Sequence, residues 1–425
     1  MRTGPNEGWI LAREDMRPSL REDVCGMPYV LRIAADLAHA GAKKIFVIWR
    51  GTGTAAAGAP PPTVADLATD SRLKGAELTV VTSPPVGVTD DPILVARADR
   101  IYHRDTPKLG VRAWREGSAP LAKVAGDEYD AVVVTTRDGA RRLLDAWSVT
   151  GSEVATAEPP YLGFTVAAPD ARSLRRAEKL LVWSLRKQAQ GIAAYWINRH
   201  ISLPVTRAIC RTNIIPNQVT VFCFLLALTG GIVIGQGGYL AGVLGMALVN
   251  LGSILDGVDG ELARLKYRFS HIGAWLDTLA DDFGNVAYIS GIAVNLHKAG
   301  SPSWAVPLAV TALVCFALTQ STQYFLITKV YRSGDLAAIP WAFQSNEFLT
   351  AKPKNFIEWL KNTIPKTLKR DFALTMFVVF ALVGHLEWIL VVFSAGAIIF
   401  FVVFVIQLLR NLDSVRNARR VTNHN

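Results

Sequence analysis

Six apolar runs, beginning near residue 218 and continuing almost to the end of the chain, constrain its folding more than any other feature of the sequence. They cover residues 218–234, 239–255, 276–296, 304–328, 372–386 and 388–409, the fifth being short. A bilayer offers no hydrogen-bond partner to a bare peptide group, so an apolar run of about twenty residues crosses it as a helix. The first two hundred residues hold no such run and read as a separate α/β body. The expected organisation is therefore an N-terminal α/β domain over residues 1–170 and amphipathic juxtamembrane helices over 171–211. An α-helical multi-pass membrane domain with six transmembrane helices follows over 212–425.

The chain of 425 residues is 51% hydrophobic yet carries a formal net charge of +10. A basic balance suits nucleic acid, but here Arg and Lys gather beside the apolar runs: ahead of the first, in the 329–370 loop, and at the tail with Arg410, Arg416, Arg419 and Arg420. Positive-inside bias and anionic head groups account for that placement, and nucleic acid is not expected as a partner. The connections at 235–238, 297–303 and 384–387 hold almost no Lys or Arg. This puts both termini and the second and fourth loops on the cytoplasmic side of a cell (inner) membrane. The N-terminus lacks the basic start, apolar stretch and cleavage site of a signal peptide. Cys25, Cys210, Cys223 and Cys315 are scattered without a CxxC pair, so neither a disulfide nor a metal role is expected of them.

Within the first domain, residues 9–12, 44–49, 77–82, 92–96 and 129–135 read as short buried strands, and 29–39 (YVLRIAADLAH) has helical spacing. Alternating strand and helix predict a mainly parallel sheet. The stretch 51–62 follows a strand but has neither the GxGxxG spacing nor the Lys-Ser/Thr of a phosphate loop, and reads as a linker. Between 171 and 211, Trp183, Tyr195 and Trp196 stand among Arg and Lys, the pattern of helices lying at a membrane interface.

The second apolar run continues into LDGVDGELARLKYRFSHIGAWLDTLADDFGN, which sets Asp256, Asp259, Asp277 and Asp281 at or within spans. An ionised carboxylate at that depth costs ~2.5–3.5 kcal/mol, so four together require a compensating cation. Asp256 and Asp259 are three apart, with Gly260, Ala263 and Arg264 continuing their helical face. Gly273, Asp277 and Asp281 recur every fourth residue on the next helix. Two facing helices would each present a carboxylate pair, with small residues leaving room for a ligand. All-oxygen ligation suits Mg²⁺ or Mn²⁺ better than zinc.

The pattern Asp256-x2-Asp259-Gly260-x2-Ala263-Arg264-x8-Gly273-x3-Asp277-x3-Asp281 resembles the complete signature of the CDP-alcohol phosphotransferases. The resemblance implies that Asp256, Asp259 and Asp277 bind the metal, with Asp281 both a ligand and the general base for an acceptor hydroxyl. It implies a CDP-linked alcohol donor, CDP-diacylglycerol or CDP-inositol, lying near Gly260, Arg264 and Ser270, with Asn217 and Thr220 contributing from the segment PNQVT. Transfer to an acceptor such as an inositol phosphate would release CMP, and the family likeness implies a homodimer embedded in lipid. Arg207, Lys329 and Arg332 serve equally well as an acceptor-phosphate site or as positive-inside anchors.

Gly26-Met27-Pro28-Tyr29, opening the 29–39 helix, is similar to the sugar-phosphate nucleotidyltransferases, with Asp99 as the match to their metal-binding aspartate. Head and body together resemble fused enzymes that make CDP-inositol and transfer it onto a second inositol phosphate. Where those nucleotidyltransferases carry a GxGxR loop, this chain reads Ala12-Arg13-Glu14-Asp15, whose acids repel a triphosphate. The head is therefore expected to be degenerate and inactive, and the membrane body to complete its site without it. A bifunctional enzyme with a working head is the alternative. A transporter predicts acids in both halves of an inverted repeat, whereas here they form one cluster.

Overall fold

The structure, a computed structural model, describes residues 4–13, 22–50, 66–86, 91–98, 100–116, 132–148, 165–167, 171–188, 197–300, 302–331 and 370–410. It divides into two compact units, each discontinuous in sequence. The first comprises Met1–Leu185, Thr206–Asn213 and Arg264–Arg268; the second comprises Arg186–Val205, Ile214–Ala263 and Phe269–Asn425.

In the first unit the strands are β1 (Glu7–Arg13), β2 (Lys44–Arg50), β3 (Glu77–Val81), β4 (Ile93–Arg97), β5 (Arg100–Tyr102), β6 (Val133–Thr135) and β7 (Thr165–Ala167). Five of them form a sheet in the order β3-β2-β1-β4-β6, while β5 pairs with β7. The β1–β2, β1–β4 and β2–β3 pairs are parallel and β6 runs antiparallel to β4, so the sheet is mainly parallel as its strand–helix alternation predicts. Helix α1 (Tyr29–Ala40) connects β1 to β2; Pro28 precedes it, and Gly41, at φ 119°, ends it in the left-handed region. Helices α2 (Thr106–Arg115) and α3 (Arg137–Ser148) fall outside the predicted elements, because their many charged residues mask the apolar stripe. Ala140 and Leu144 of α3 nonetheless pack on Trp9, Leu11, Ile48, Ile93 and Val95 to close the sheet's core. The amphipathic stretch forms α4 (Ala171–Ser184) and α5 (Arg199–Ile209); Tyr195 and Trp196 lie outside the described residues.

The second unit is built from α6 (Pro216–Ile234), α7 (Tyr239–Lys266), α8 (His271–Lys298), α9 (Ala305–Phe325), α10 (Arg370–Val383) and α11 (Leu386–Arg410). A helix therefore stands at each of the six apolar runs, but four are long and apolar enough to cross a membrane. These are Pro216–Ile234, Tyr239–Lys266, Ala305–Lys329 and Leu386–Arg410. Of the other two, α8 carries Asp277, Asp281 and Asp282, and α10 has only 14 residues. Ile234, Met246, Val249, Tyr288, Ile289, Phe377 and Ile389 fill the bundle's core. Phe222, Leu240, Ile399 and Leu409 stay exposed, a distribution that suits lipid and would favour aggregation in water.

Helix α6 meets its neighbours through glycine. A Cβ on Gly230 would lie 2.7 Å from the Gly245 carbonyl oxygen of α7, and one on Gly231 would lie 2.6 Å from the Ala287 carbonyl oxygen of α8. Backbones thus touch at both crossings, the means by which helices associate where lipid removes the hydrophobic drive. Gly231→Val should wedge α6 from α8 and abolish monodisperse protein on size-exclusion chromatography in detergent. Gly396→Val, where nothing lies within 4 Å, should leave the yield unchanged.

Candidate metal centre

Local structure first sets the helix starts around the site. Pro216 opens α6, and the Gln218 side chain accepts the Ile215 N–H at 3.1 Å. Ser270 caps α8, its hydroxyl accepting the Gly273 N–H at 3.2 Å. These two first turns adjoin, because a Cβ on Gly273 would lie 2.6 Å from Asn217 Oδ1. A side chain at 273 would require the Asn217 amide to move aside.

From α7 and α8 the aspartates converge. Carboxylate oxygens of Asp256, Asp259 and Asp277 all lie within 4.8 Å of one another, each residue half-buried. The buried hydroxyl of Thr220 on α6 donates to Asp259 Oδ2 and fixes that carboxylate's rotamer. Asp277 Oδ1 is buried and has no hydrogen-bond partner among the described residues. A buried carboxylate oxygen without a donor is costly unless a cation occupies its lone pairs, so this trio fits a hard divalent ion. Asp281 stands outside the trio, in an ion pair with Arg370, the first residue of α10.

Other acids have partners of their own. Asp282 receives Gln320 Nε2 on its two oxygens at 2.9 and 2.8 Å and accepts the Tyr324 hydroxyl, whose ring packs against Trp275 at 5.4 Å. Glu261, fully buried on α7, pairs with Arg199 and accepts the Ser202 hydroxyl at 2.7 Å. The signature names none of Arg370, Asp282, Gln320, Tyr324, Glu261 or Arg199. A signal existed for Asp282, a second acid at span level, and for Gln320 and Tyr324, four apart in an apolar run. Arg199 and Ser202 belong to the juxtamembrane segment that resembles the fused enzymes, whereas Arg370 carries no local signal.

Among the remaining predicted site residues, Gly260 is half-buried on α7, and Arg264 is half-buried on its last turn within the first unit. Arg207 and Lys329 are exposed. Arg332, Asp99, Glu14 and Asp15 lie outside the described residues.

Apolar helices that bring three aspartates together define a membrane-type helical domain with an acidic group that could hold a metal ion. Residues 213–362 match the family described as CDP-alcohol phosphatidyltransferase. The C-terminal half of the chain thus carries a CDP-alcohol phosphotransferase domain. The chain is 28% identical over 240 residues to "Bifunctional IPC transferase and DIPP synthase" of Aquifex aeolicus, covering 56% of this chain and 48% of that protein. It is 34% identical to the protein of the same description from Rubrobacter xylanophilus, over 40% of this chain and 39% of that one. Similarity to the "Phosphatidylinositol phosphate synthase" of Cutibacterium acnes is 32%, over 28% of this chain and 56% of the relative. The chain therefore matches about half or less of the bifunctional relatives' length.

Metal binding tests the centre directly. Asp259→Ala should eliminate the bound-Mn²⁺ signal in electron paramagnetic resonance of the purified chain. Thr220→Val, which removes only the donor behind Asp259, should weaken Mn²⁺ about tenfold, as loss of a supporting hydrogen bond to a ligand does.

Proposed function

We propose that this chain transfers a phospho-alcohol group from a CDP-linked donor to a hydroxyl acceptor, releasing CMP, with Mg²⁺ or Mn²⁺ held by Asp256, Asp259 and Asp277. The observation that carries the reading is the bare, buried Asp277 Oδ1 beside two further carboxylates at signature positions. When bound, the metal neutralises charge on the phosphates and aligns attacking and leaving oxygens. Asp281, which pairs with Arg370, is the group proposed to take the acceptor hydroxyl's proton. The acceptor oxygen then bonds to the phosphorus distal to cytidine, the phosphoanhydride bond breaks, and its electrons leave with CMP. Asn217, Thr220, Gly260, Arg264 and Ser270 line the donor's side in this reading. The names of the relatives favour an inositol phosphate as acceptor, with Arg207, Lys329 and Arg332 as candidates for its phosphate.

Six transmembrane helices follow if α8 and α10 cross together with the four apolar ones, their acids turned into the bundle. The basic flanks favour a site on the cytoplasmic face. The head is proposed to be inactive toward CTP, since Glu14 and Asp15 stand where a phosphate cradle needs glycine.

CMP release from CDP-diacylglycerol or CDP-inositol, screened against inositol phosphates, should require Mg²⁺ or Mn²⁺ and stop in EDTA; full turnover in chelator would sink the metal mechanism. Asp281→Asn should lower turnover by roughly 10²–10⁴ while Mn²⁺ still binds. Incubation of the chain with CTP and inositol phosphate should give no pyrophosphate; release at an enzymatic rate would reinstate a working head.

A further inference from the structure

The first unit contains more of the chain than its sheet and helices. Residues Arg264–Arg268, which end α7 and lead towards α8, belong to it, and they are gripped by buried polar groups. Arg32 on α1, only 3% exposed, donates Nη2 to the Leu265 carbonyl at 2.6 Å and to the Val24 carbonyl at 3.0 Å. One turn later on α1, Asp36 accepts the hydroxyl of Tyr267. Tyr267 ends the helix at φ 53°, left-handed backbone that a residue other than glycine adopts at a cost, and its ring packs on His39 at 4.8 Å. Lys266 is equally buried and donates Nζ to the Thr212 carbonyl at 2.7 Å.

We propose that Arg32 and Asp36 are positioning residues for the metal centre: they fix the conformation of the segment that joins the two aspartate-bearing helices, and thereby the spacing of Asp256 and Asp259 from Asp277. The argument is one of chemistry and chain connectivity. An arginine on a helix's last carbonyls closes groups that the helix itself leaves open. A left-handed tyrosine stays in place only while its side chain is held, and Asp36 supplies the hold. Burying Arg32, Asp36 and Lys266 is expensive, and packed apolar residues would serve mere stability as well or better. Burial pushes the Asp36 carboxyl up to about 7, against the opposing pull of the Tyr267 hydroxyl, Arg32 and Arg104. What the polar network adds is a single conformation for a short connection whose two ends carry the ligands. The expectation that nothing before residue 171 is needed to complete the site changes accordingly: α1 contributes without touching substrate.

The proposal rests on the metal-dependent reading above, and Mn²⁺ binding to the full chain separates the two. Tyr267→Phe removes one oxygen from a packed ring, and Arg32→Met removes the carbonyl's donor while keeping the apolar stem. Each should weaken Mn²⁺ about tenfold in paramagnetic resonance titrations, with the protein still monodisperse. Asp36→Asn, which retains an acceptor for the Tyr267 hydroxyl, should bind Mn²⁺ within about threefold of the parent. Unchanged affinity in monodisperse Tyr267→Phe would overturn the positioning role and leave the metal reading standing. Absence of Mn²⁺ binding in the parent chain would remove both. If Arg32→Met does not fold, Tyr267→Phe alone decides.

Discussion

Mutual repulsion among three carboxylates is the constraint around which the membrane domain is organised. With oxygens no more than 4.8 Å apart, each ionised pair opposes the fold by about 3 kcal/mol at an effective dielectric near 20. Three such pairs approach the whole net stability of a typical domain, roughly 5–15 kcal/mol. A chain that holds them together must gain something that outweighs this, and the three carboxylates would suit a hard dication, which would offset their charge. The backbone contacts at Gly230 and Gly231 and the Thr220 bond to Asp259 are the framework resisting that repulsion.

Partnering separates the acids by task. Glu261 has Arg199 and Ser202, and Asp282 has Gln320 and Tyr324, so both are satisfied within the fold and act as clamps between helices. Asp277 keeps one oxygen bare. Asp281 pairs with Arg370, the first residue of α10. In apolar surroundings this difference matters, because a satisfied network rigidifies while an unsatisfied oxygen marks where a ligand belongs.

The first unit shows how a mainly parallel α/β sheet can hold a distant segment of its own chain. Its strands take the order β3-β2-β1-β4-β6, and Cys25 and Gly26, both at positive φ, precede α1. The same helix carries Arg32 and Asp36, whose partners lie on residues 265–267 rather than on a nucleotide.

Much of this protein was written in local spacing. The apolar runs gave six helices, the alternation of strand and helix gave the sheet, and the three- and four-residue intervals from Asp256 to Asp281 gave the carboxylate cluster, since helical periodicity is a property of neighbours in sequence. Charged faces hid α2 and α3, and α8, read from the sequence as a span, is not among the four helices long and apolar enough to cross a membrane. What no local pattern could supply was pairing over distance. Tertiary structure alone decided that Arg370 meets Asp281, that Gln320 and Tyr324 meet Asp282, and that Asn217 lies beside Gly273. It also decided that Arg32 and Asp36 hold residues 265 and 267. Periodicity fixes which side chains share a face; only the packing of whole elements determines which face of another element they meet.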